Sequence, residues 1–430
     1  MDTFKTLRYG DRHPQVELVQ VALERTGHEL AADGVFGTAT RGAVTQFQAS
    51  RELARDGIVG TATWRALTPY LTGYLPYTVR AGDTVYDVAK RYGTEVGAIL
   101  AANPRLEPRN LQIGQTITVP LWFDVVPTNI HMTSLAMMLC LDGLEARYPF
   151  LRVSAAGRSV IGRQIPAIAV GTGANRVFYN AAHHANEWLT STLLLKFLED
   201  YCKALVSGGG IYGLDARSLF AMTTLTLAPM VNPDGVDLVT GALTDGAEYD
   251  NAVAIAGRFP SIAFPDGWKA NIVGVDPNLQ YPAGWQDAVE IKAAQGFDRP
   301  APRDWPGSAP LDAPESRAMY DLTVSDPFDL TISYHSQGEV IYWKYKDKEP
   351  PRGREIAERF GAVSGYAVED TPSLSGNAGY KDWIIDKYDK PSYTIEIGTV
   401  PSPLPLSQFP PAYAKNLGIL ALGLSVTARG

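Results

Sequence analysis

The sequence predicts an α/β protein in which a mixed sheet flanked by helices follows two small modules, one of three helices and one with the order βααβ. Three observations predict this arrangement. A short motif is repeated near the amino terminus, strand patterns enclose a pair of helices between residues 77 and 120, and from about residue 122 apolar strands alternate with helices. Such alternation is typical of a sheet covered by helices. A chain of 430 residues is long enough for two or three domains.

The first module is defined by the repeated motif. Asp33–Thr40 reads DGVFGTAT and recurs as DGIVGTAT at Asp56–Thr63. In each copy, glycine permits a tight turn with positive φ, and threonine is placed to cap the next helix. Val16, Val19 and Leu23 share one face of the helix before the first copy. The pattern predicts three helices with two similar turns, and a generic helical bundle is the alternative.

This order of helix and repeat resembles the helical peptidoglycan-binding domain of cell-wall hydrolases. The resemblance covers roughly residues 5–70, and we place the domain at residues 1–72. It implies that peptidoglycan is a binding partner.

The second module occupies residues 75–121. Residues 77–84 read as a strand that runs into a turn and a helix cap, and the first helix follows. A second helix covers Val96–Asn103, where Pro104 prevents its continuation. Leu111–Pro120 then alternates between apolar and polar residues, as a strand does. The order strand, helix, helix, strand predicts a compact βααβ module.

This order, with Gly-Asp-Thr early and Ile-Gly-Gln late, resembles a LysM domain. Such domains bind glycans that contain N-acetylglucosamine in a groove between the first turn and the loop before the last strand. The positions that the resemblance assigns to the groove are Gly82, Asp83, Thr84, Asn110, Leu111 and Ile113.

The third domain, residues 122–430, alternates strands and helices. We expect a helix at Ser134–Arg147 and a strong turn signal at Asn232–Gly235. Pro314 suits the first turn of a helix that follows a proline-rich loop at residues 300–314. Further strands are predicted at residues 166–170, 176–180 and 223–231, and a long helix at residues 187–205.

Composition and charge exclude several classes of function. A net charge of −8 without a basic stripe argues against nucleic acid as a partner. Cys140 and Cys202 fall in helix-like sequence and are expected to be buried and free rather than bridged. No segment is long enough to span a membrane, and the residues after Met1 lack the apolar run of a signal peptide. We therefore expect a cytoplasmic protein, or one associated with the cell wall if a leader has been removed.

Four side chains predict a metal-dependent hydrolase. His184 and Glu187 follow the apolar strand residues Val177–Tyr179, and their spacing lets both reach one ion from the same side. His335 and Glu396 lie at two further strand patterns downstream. Two histidines and one glutamate leave a fourth zinc position open for water, and Glu396 would then be the base. The sequence thus predicts a peptidase.

The serial order of the motifs in residues 150–430 resembles the zinc carboxypeptidase family. This resemblance implies one Zn²⁺ per catalytic domain, held by His184, Glu187 and His335, with Glu396 as general base. It also implies a substrate contact at Asn278. The segments that carry it, besides these residues, are Gly157–Arg163, Asn232–Gly235, Asp276–Asn278 and His335–Gln337.

Three departures from the family pattern bear on substrate choice. Leu279 follows Asn278 where the family usually has an arginine that clamps the terminal carboxylate of the substrate, and leucine cannot replace a bidentate arginine. No arginine lies between Arg258 and Arg299, where the family usually carries one that polarises the carbonyl. Leu374 stands where a tyrosine is often found. General removal of C-terminal amino acids is therefore not expected.

Wall-binding modules on such a domain resemble bacterial γ-D-glutamyl-diaminopimelate peptidases, which cut stem peptides of peptidoglycan, some of them inside sporulating cells. Residues 268–271, 280–285 and 378–383 carry this likeness. Tyr380 is a further expected substrate contact. The residues that could bind the extra carboxylate of diaminopimelate are Lys269, Lys344 and Lys381.

Two alternative functions stay open at this point. The chain could be a peptidoglycan-binding protein with an impaired peptidase domain, or a conventional metallocarboxypeptidase with a relocated carboxylate clamp. The sequence does not decide between diaminopimelate and lysine as the residue released, and it leaves the oligomeric state open.

Overall fold

The computed structural model describes residues 4–426. Residues 1 and 430, the outer limits of the predicted first and third domains, lie outside this range. The first residues after Met1, which lack the apolar run of a signal peptide, also lie outside it. Contacts divide the chain into two compact units. The first comprises the residues up to His131 together with Leu135–Arg152 and Leu198–Gly209, and the second comprises the rest. No helix in the described range is long and apolar enough to cross a membrane.

The first unit contains the two N-terminal modules, and its elements alternate much as the sequence predicts. They are α1 (Pro14–Glu24), α2 (Thr38–Ser50), α3 (Thr61–Thr72), β1 (Tyr74–Thr78), α4 (Val85–Tyr92), α5 (Val96–Ala102), β2 (Thr116–Pro120) and α6 (Ser134–Arg147).

The repeated motif has the same hydrogen-bond network in both copies. In the first copy, the buried Gln20 amide donates to Asp33 Oδ1 at 2.7 Å and accepts from Gly34 N at 3.0 Å. In the second, Gln48 binds the corresponding aspartate and glycine in the same way, at 2.8 and 3.0 Å. Both glycines have positive φ, as predicted. The prediction that threonine caps the helices is wrong, because glycine occupies each N-cap position and the helix begins at the threonine.

The second module is a βααβ unit around its own apolar core. β1 pairs with β2 in antiparallel fashion, and Thr84 caps α4 by accepting from Asp87 N at 3.1 Å. Val85, Val88, Ile99 and other buried side chains form the core between the strands and the helices. The predicted order of elements is therefore confirmed.

The segment after β2 is anchored within the first unit by backbone hydrogen bonds. Arg25 donates to the carbonyls of Tyr70 and Asp124 at 2.8 and 2.6 Å. The N–H groups of Val125 and Val126 donate to the two carboxylate oxygens of Glu199. Buried charges are tolerated when they are paired in this way. The connection is thus a fixed part of the first unit.

The second unit carries most of the α/β domain. Its elements are β3 (Arg152–Arg158), β4 (Gln164–Val170), β5 (Asn175–Ala181), α7 (Leu189–Ser207, whose last part lies in the first unit), β6 (Gly210–Ile211), β7 (Leu214–Asp215), α8 (Ala216–Met222), β8 (Thr223–Ala228), α9 (Pro233–Val239), α10 (Ala247–Ala256), α11 (Trp285–Ala294), α12 (Pro314–Ser325), β9 (Leu330–His335), β10 (Val340–Tyr342), α13 (Gly353–Ser364), β11 (Ala367–Glu369), α14 (Tyr380–Tyr388), β12 (Ser392–Glu396) and α15 (Phe409–Ser425).

Eight strands form one mixed sheet in the order β11-β10-β12-β9-β5-β8-β4-β3. The four central strands β12, β9, β5 and β8 are parallel, whereas β10 and β4 pair with them in antiparallel fashion. The predicted fold class, a mixed sheet flanked by helices, is confirmed. Because parallel strands end at one edge, the residues that follow β5, β9 and β12 meet there.

Two local predictions differ in outcome. Pro314 lies in the first turn of α12, as expected, since proline fixes a helical φ and needs no N–H there. Asn232–Gly235 does not form a simple turn. The Asn232 side chain accepts from Gly235 N at 3.1 Å and caps α9, which begins at Pro233. The same residues that favour a turn also favour a helix N-terminus.

The two cysteines are buried and free, as predicted.

Replacing Gly143 with alanine should destabilise the first unit. Alanine normally stabilises a helix by about 1 kcal/mol relative to glycine. In α6, however, a Cβ at Gly143 would lie 2.0 Å from the carbonyl oxygen of Thr72, a backbone atom that cannot move aside cheaply. Overpacking of this kind costs roughly 1–3 kcal/mol. Gly42→Ala in α2 is the matched control, since its Cβ would meet nothing within 4 Å. Thermal unfolding should show a lower Tm for the first variant and an equal or higher Tm for the second; the reverse order would contradict the packing described.

Candidate metal centre

Three neighbouring parallel strands deliver the candidate residues to one edge of the sheet. After β5, Ala182 has a φ of 50°, an uncommon conformation for a residue with a side chain, and the chain turns into the histidine pair. Glu187 follows in a short 3₁₀ turn, Ala185–Glu187. His335 ends β9 and Glu396 ends β12, and these two residues are direct register partners. The sheet therefore brings all four predicted side chains to one place.

His184, Glu187 and His335 converge on one point. Their ligand atoms lie within 4.8 Å of one another. The Nδ1 atoms of His184 and His335 are 3.0 and 2.9 Å from the two oxygens of the Glu187 carboxylate, and 3.3 Å from each other. Two imidazole nitrogens and a carboxylate are a donor set that zinc accepts, and three protein ligands leave a coordination position open.

The second ring nitrogen of each histidine also has a polar neighbour. His184 Nε2 lies 3.3 Å from Asp276 Oδ1, and His335 Nε2 lies 3.4 Å from the side-chain amide of Asn278. A histidine that binds a metal usually donates its other ring N–H to a carboxylate or carbonyl, as His184 can to Asp276, and this fixes the ring orientation. The residues present therefore fit a zinc ion. Asp276 belongs to the Asp-Pro-Asn motif, but the motif alone did not predict a contact with His184.

Burial and neighbouring charges set the protonation of the three groups. Burial disfavours the charged form of His184, but Glu187 and Asp276 outweigh it and raise the pKa of His184 to about 9. Burial lowers the pKa of His335. The pKa of Glu187 lies well below its ordinary value because His184 and Lys269 offset its burial. The triad thus holds one proton to be displaced, on His184.

Glu396 faces the same pocket from the neighbouring strand. Enclosure by the protein and repulsion from Glu187 raise the pKa of Glu396 to about 8, against the opposing charges of Lys269 and His184. A carboxylate with a pKa near neutrality can both accept and return a proton. Its placement suits a general base.

The triad opens into a polar pocket with a volume of about 210 Å³. Besides His184, His335 and Glu396, its walls contain the predicted residues Asn278 and Lys269. They also contain charged residues that sequence analysis had not placed in the site, namely Asp276, Lys292, Arg303, Asp304 and Asp382.

One wall is a small ion cluster on the loop before α12. Asp304 accepts from Lys292 Nζ at 2.6 Å and from Arg303 Nε at 2.5 Å. Its backbone N–H donates to Asp276 Oδ2 at 3.1 Å. Two cations share the Asp304 carboxylate, and Asp276 adds a second negative charge beside them, so this wall is highly charged but balanced. Composition predicts only a proline-rich loop at residues 300–314, and no local spacing connects Arg303 or Asp304 with the histidines.

Tyr380 was expected to contact substrate, but its side chain lies in the core. It is fully buried, and its hydroxyl pairs with Thr323 at 2.7 Å. Only its backbone N–H reaches toward the site, where it donates to Asn278 Oδ1 at 3.1 Å. The first turn of α14 points the next residue, Lys381, into the pocket instead. His183 is also buried, with Nε2 2.9 Å from the hydroxyl of Tyr281.

The three lysines proposed for carboxylate recognition lie in different surroundings. Lys269 Nζ is 2.8 Å from Glu187 Oε1, beside the triad. Lys344 pairs with Asp370 at 2.8 Å and is absent from the pocket walls. Lys381 lines the pocket. Leu374, in the place of the expected tyrosine, has an exposure of 59%.

The expected glycan groove is formed by two loops that β-type hydrogen bonds bring together, since Gly114 N donates to Val79 O at 2.9 Å. Gly82, Asn110 and Ile113 are exposed, as a glycan contact requires. Asp83 is occupied within the module, where its carboxylate accepts from the Tyr77 hydroxyl at 2.5 Å. The remaining two predicted residues have structural contacts, with Thr84 capping α4 and Leu111 packing on the module core.

Comparison with protein families decides the class of the catalytic domain. The zinc carboxypeptidase model matches residues 137–417. The chain belongs to the zinc carboxypeptidase family. A peptidoglycan binding domain matches residues 12–67 and a LysM domain matches residues 77–120. With this catalytic domain the protein is a hydrolytic metallopeptidase.

Relatives within this family are similar over most of the chain. Gamma-D-glutamyl-L-diamino acid endopeptidase 1 of Lysinibacillus sphaericus is 42% identical over 67% of this chain and 71% of its own. The uncharacterized protein YqgT of Bacillus subtilis is 40% identical over 78% of this chain and 86% of its own. Among solved structures, thrombin activatable fibrinolysis inhibitor matches 83% of this chain and 99% of its own with a TM-score of 0.56 at 16% identity, which supports the fold.

Asp276→Asn should weaken zinc binding by roughly 10- to 100-fold, the usual cost of losing an outer carboxylate that orients a ligating histidine. Asparagine removes the charge beside His184 while keeping the size of the side chain. Competition with a chelator of known affinity measures the change. Asp287→Asn, at an exposed residue paired with Lys346, is the control and should leave the affinity unaltered. Equal affinities for the two variants would show that Asp276 does not support the metal.

Zinc affinity should rise with pH up to about 9. Zinc needs a neutral imidazole, whereas the pKa of about 9 keeps His184 protonated near neutrality in the metal-free protein. Because one proton must leave, we expect about a tenfold gain per pH unit between pH 6 and 8. Titration in two buffers with different ionisation enthalpies counts the proton released. His131→Gln, whose histidine is paired with Glu17 in the first unit, should keep this slope. A flat profile would contradict the protonation assigned to His184.

Proposed function

We propose that this metallopeptidase hydrolyses the γ-D-glutamyl–diaminopimelate amide of peptidoglycan stem peptides. The observation that carries the proposal is the pocket, in which the ligand candidates His184 and His335 share one cavity with Arg303 and Lys381. A leaving group with several charges suits such walls better than an ordinary apolar side chain does. The name of the Lysinibacillus relative describes the same class of bond.

His184, Glu187 and His335 would hold one zinc ion in this proposal. Zinc bound by such a triad lowers the pKa of water toward neutrality and polarises a carbonyl. Asp276 then keeps the imidazole ring of His184 in place by accepting from its outer nitrogen.

Glu396 is the proposed general base. Its carboxylate takes a proton from the attacking water and returns it to the amine that leaves. The side chain is fixed because it ends β12 beside His335. Groups in this role contribute about 10²- to 10⁴-fold to the rate.

Lys269 is the proposed donor to the oxygen of the scissile carbonyl. No arginine occupies the usual position upstream, but the Lys269 ammonium lies in the pocket 2.8 Å from Glu187 and interacts electrostatically with Glu396. Fixed positive groups of this kind stabilise charge that develops in the transition state.

Arg303 is the proposed partner of the carboxylate next to the cleaved bond. Leu279 cannot supply the clamp that the family usually places after Asn278. Arg303 reaches the same pocket from the loop before α12, where Nε is held by Asp304. The rest of its planar guanidinium provides further N–H donors in a geometry that suits a carboxylate.

The N-terminal modules would hold the enzyme on its polymeric substrate. We propose domain limits of 1–72 and 75–121 for the peptidoglycan-binding and LysM modules and 122–430 for the catalytic domain. Glycan strands would lie against Gly82, Thr84, Asn110 and Ile113, which are the exposed members of the predicted groove. With these binding partners, we expect the enzyme to act at the cell wall.

The test is mass spectrometry of the zinc-loaded protein incubated with L-Ala-γ-D-Glu-meso-diaminopimelate. Free diaminopimelate should be released, and a chelator should stop the release. Glu396→Gln should retain zinc but lower the rate by at least about 10²-fold, since the amide cannot act as a base. Glu358→Gln, at an exposed surface residue of α13, is the matched control and should cleave normally.

Other outcomes favour the alternatives. Bound zinc without cleavage of any peptide would indicate a wall-binding protein with an impaired domain. Efficient cleavage of ordinary α-linked peptides would indicate a conventional carboxypeptidase. Full activity of Glu396→Gln would overturn only the assignment of Glu396 as the general base.

A further inference from the structure

Lys381 is the one lysine of the three considered for carboxylate recognition that combines burial with a place in the wall of the pocket and no contact with the triad. Its side chain has an exposure of only 4% and it lies in the first turn of α14. Lys269 is bound to Glu187, and Lys344 pairs with Asp370 elsewhere. The structure therefore separates residues that the sequence could not rank.

The ammonium group of Lys381 is held but not saturated by the contacts described. It donates to Asp382 Oδ1 at 2.5 Å and to the backbone carbonyl of Lys344 at 2.7 Å. An ammonium has three N–H donors, so one remains for a ligand. Asp382 also lines the pocket, and its carboxylate oxygens can each accept more than one hydrogen bond. A cation and an anion thus stand side by side in the wall.

Asn278 connects this pair to the metal centre. Its amide nitrogen lies 3.4 Å from His335 Nε2, and its amide oxygen accepts from the backbone N–H of Tyr380 at 3.1 Å. Tyr380 directly precedes Lys381. Only the Asn278 side chain and the backbone of Tyr380 therefore lie between the triad and the charged pair. A substrate cut at the triad can extend its leaving group past Asn278 to reach this pair.

The turn that carries Lys381 is rigid. Ala378 has a φ of 60° and is fixed by backbone hydrogen bonds with Tyr281 and Ala283. Gly379 N then donates to Asp382 Oδ2 at 3.2 Å, which closes the start of α14. Binding groups placed on such fixed elements lose little conformational entropy when a ligand arrives.

The chemistry of the pair matches one amino-acid centre, with a carboxylate and an ammonium on the same carbon. Diaminopimelate carries such a centre at the end of its side chain, whereas lysine carries only the ammonium. The spare donor of Lys381 would bind the extra carboxylate by a charge-assisted hydrogen bond, and Asp382 would accept from the ammonium. Lysine would satisfy Asp382 alone.

We propose that Lys381, positioned by Asp382, selects diaminopimelate over lysine by binding the far carboxylate of the leaving group. This inference rests on the proposed function, because it concerns the residue released from the same bond. It assigns a different task to Arg303, whose proposed carboxylate is present in both amino acids.

The test compares kcat/KM for three stem peptides that end in meso-diaminopimelate, in diaminopimelate amidated at its far carboxylate, or in L-lysine. The wild-type protein should prefer the first by about 10- to 100-fold, the range expected for one charged hydrogen bond. Lys381→Met keeps the length and the packing of the side chain, and it should reduce this preference at least tenfold. Lys344→Met is the matched control, because its side chain lies outside the pocket, and it should keep the wild-type preference.

Binding of free meso-diaminopimelate and free lysine, measured by calorimetry, gives a second reading that does not depend on turnover. Lys381→Met should lose affinity for the first and not for the second. An unchanged preference in this variant would overturn the proposal. Equal cleavage of the free and amidated diaminopimelate peptides by the wild-type protein would overturn it even if Lys381→Met failed to fold, and would leave the proposed function intact. Failure to cleave any of the three peptides would remove both.

Discussion

The parallel pairing of β5, β9 and β12 is the constraint on which the site depends, because it ends three separate stretches of sequence at one edge of the sheet. His184 and Glu187 follow the first strand, His335 ends the second, and Glu396 ends the third. The turn after β5 carries only the first two ligands, and the strand β9 supplies the third. The backbone ladder sets the relative height of His335 and Glu396, and the apolar faces of the sheet resist any change in register, since a slip by one residue would turn every side chain to the opposite face.

The buried carboxylate of Glu187 would destabilise this edge of the sheet if it had no partners. Glu187 is almost fully buried, and a lone charge in that position would be strongly unfavourable. His184, His335 and Lys269 each lie within 3.0 Å of its oxygens. The same groups would be rearranged around a metal. This cluster explains why the pKa values of the site depart from their ordinary positions.

The sequence predicted those parts of the site that local spacing or serial order encodes. The spacing of His184 and Glu187, the strands before them, and the order of the later motifs were enough to predict the fold and the four residues that the structure brings together. The ion cluster at Arg303 could not be predicted, because the contact of that loop with Asp276 is a tertiary hydrogen bond with no periodic signal. Tyr380 and Lys381 were one residue apart, and only the orientation of α14 decides which of them faces the core.

Asp276 gives the two halves of the site a thermodynamic link. One of its oxygens approaches His184, and the other accepts from the backbone of Asp304, which in turn holds Lys292 and Arg303. A ligand that binds Lys292 or Arg303 therefore changes the interaction of Asp276 with His184. A metal ion bound by His184 changes, in turn, the interactions of Lys292 and Arg303. Coupling between two binding events is reciprocal by necessity. An anionic product is then expected to change the affinity for the metal by the same factor by which the metal changes the affinity for that product.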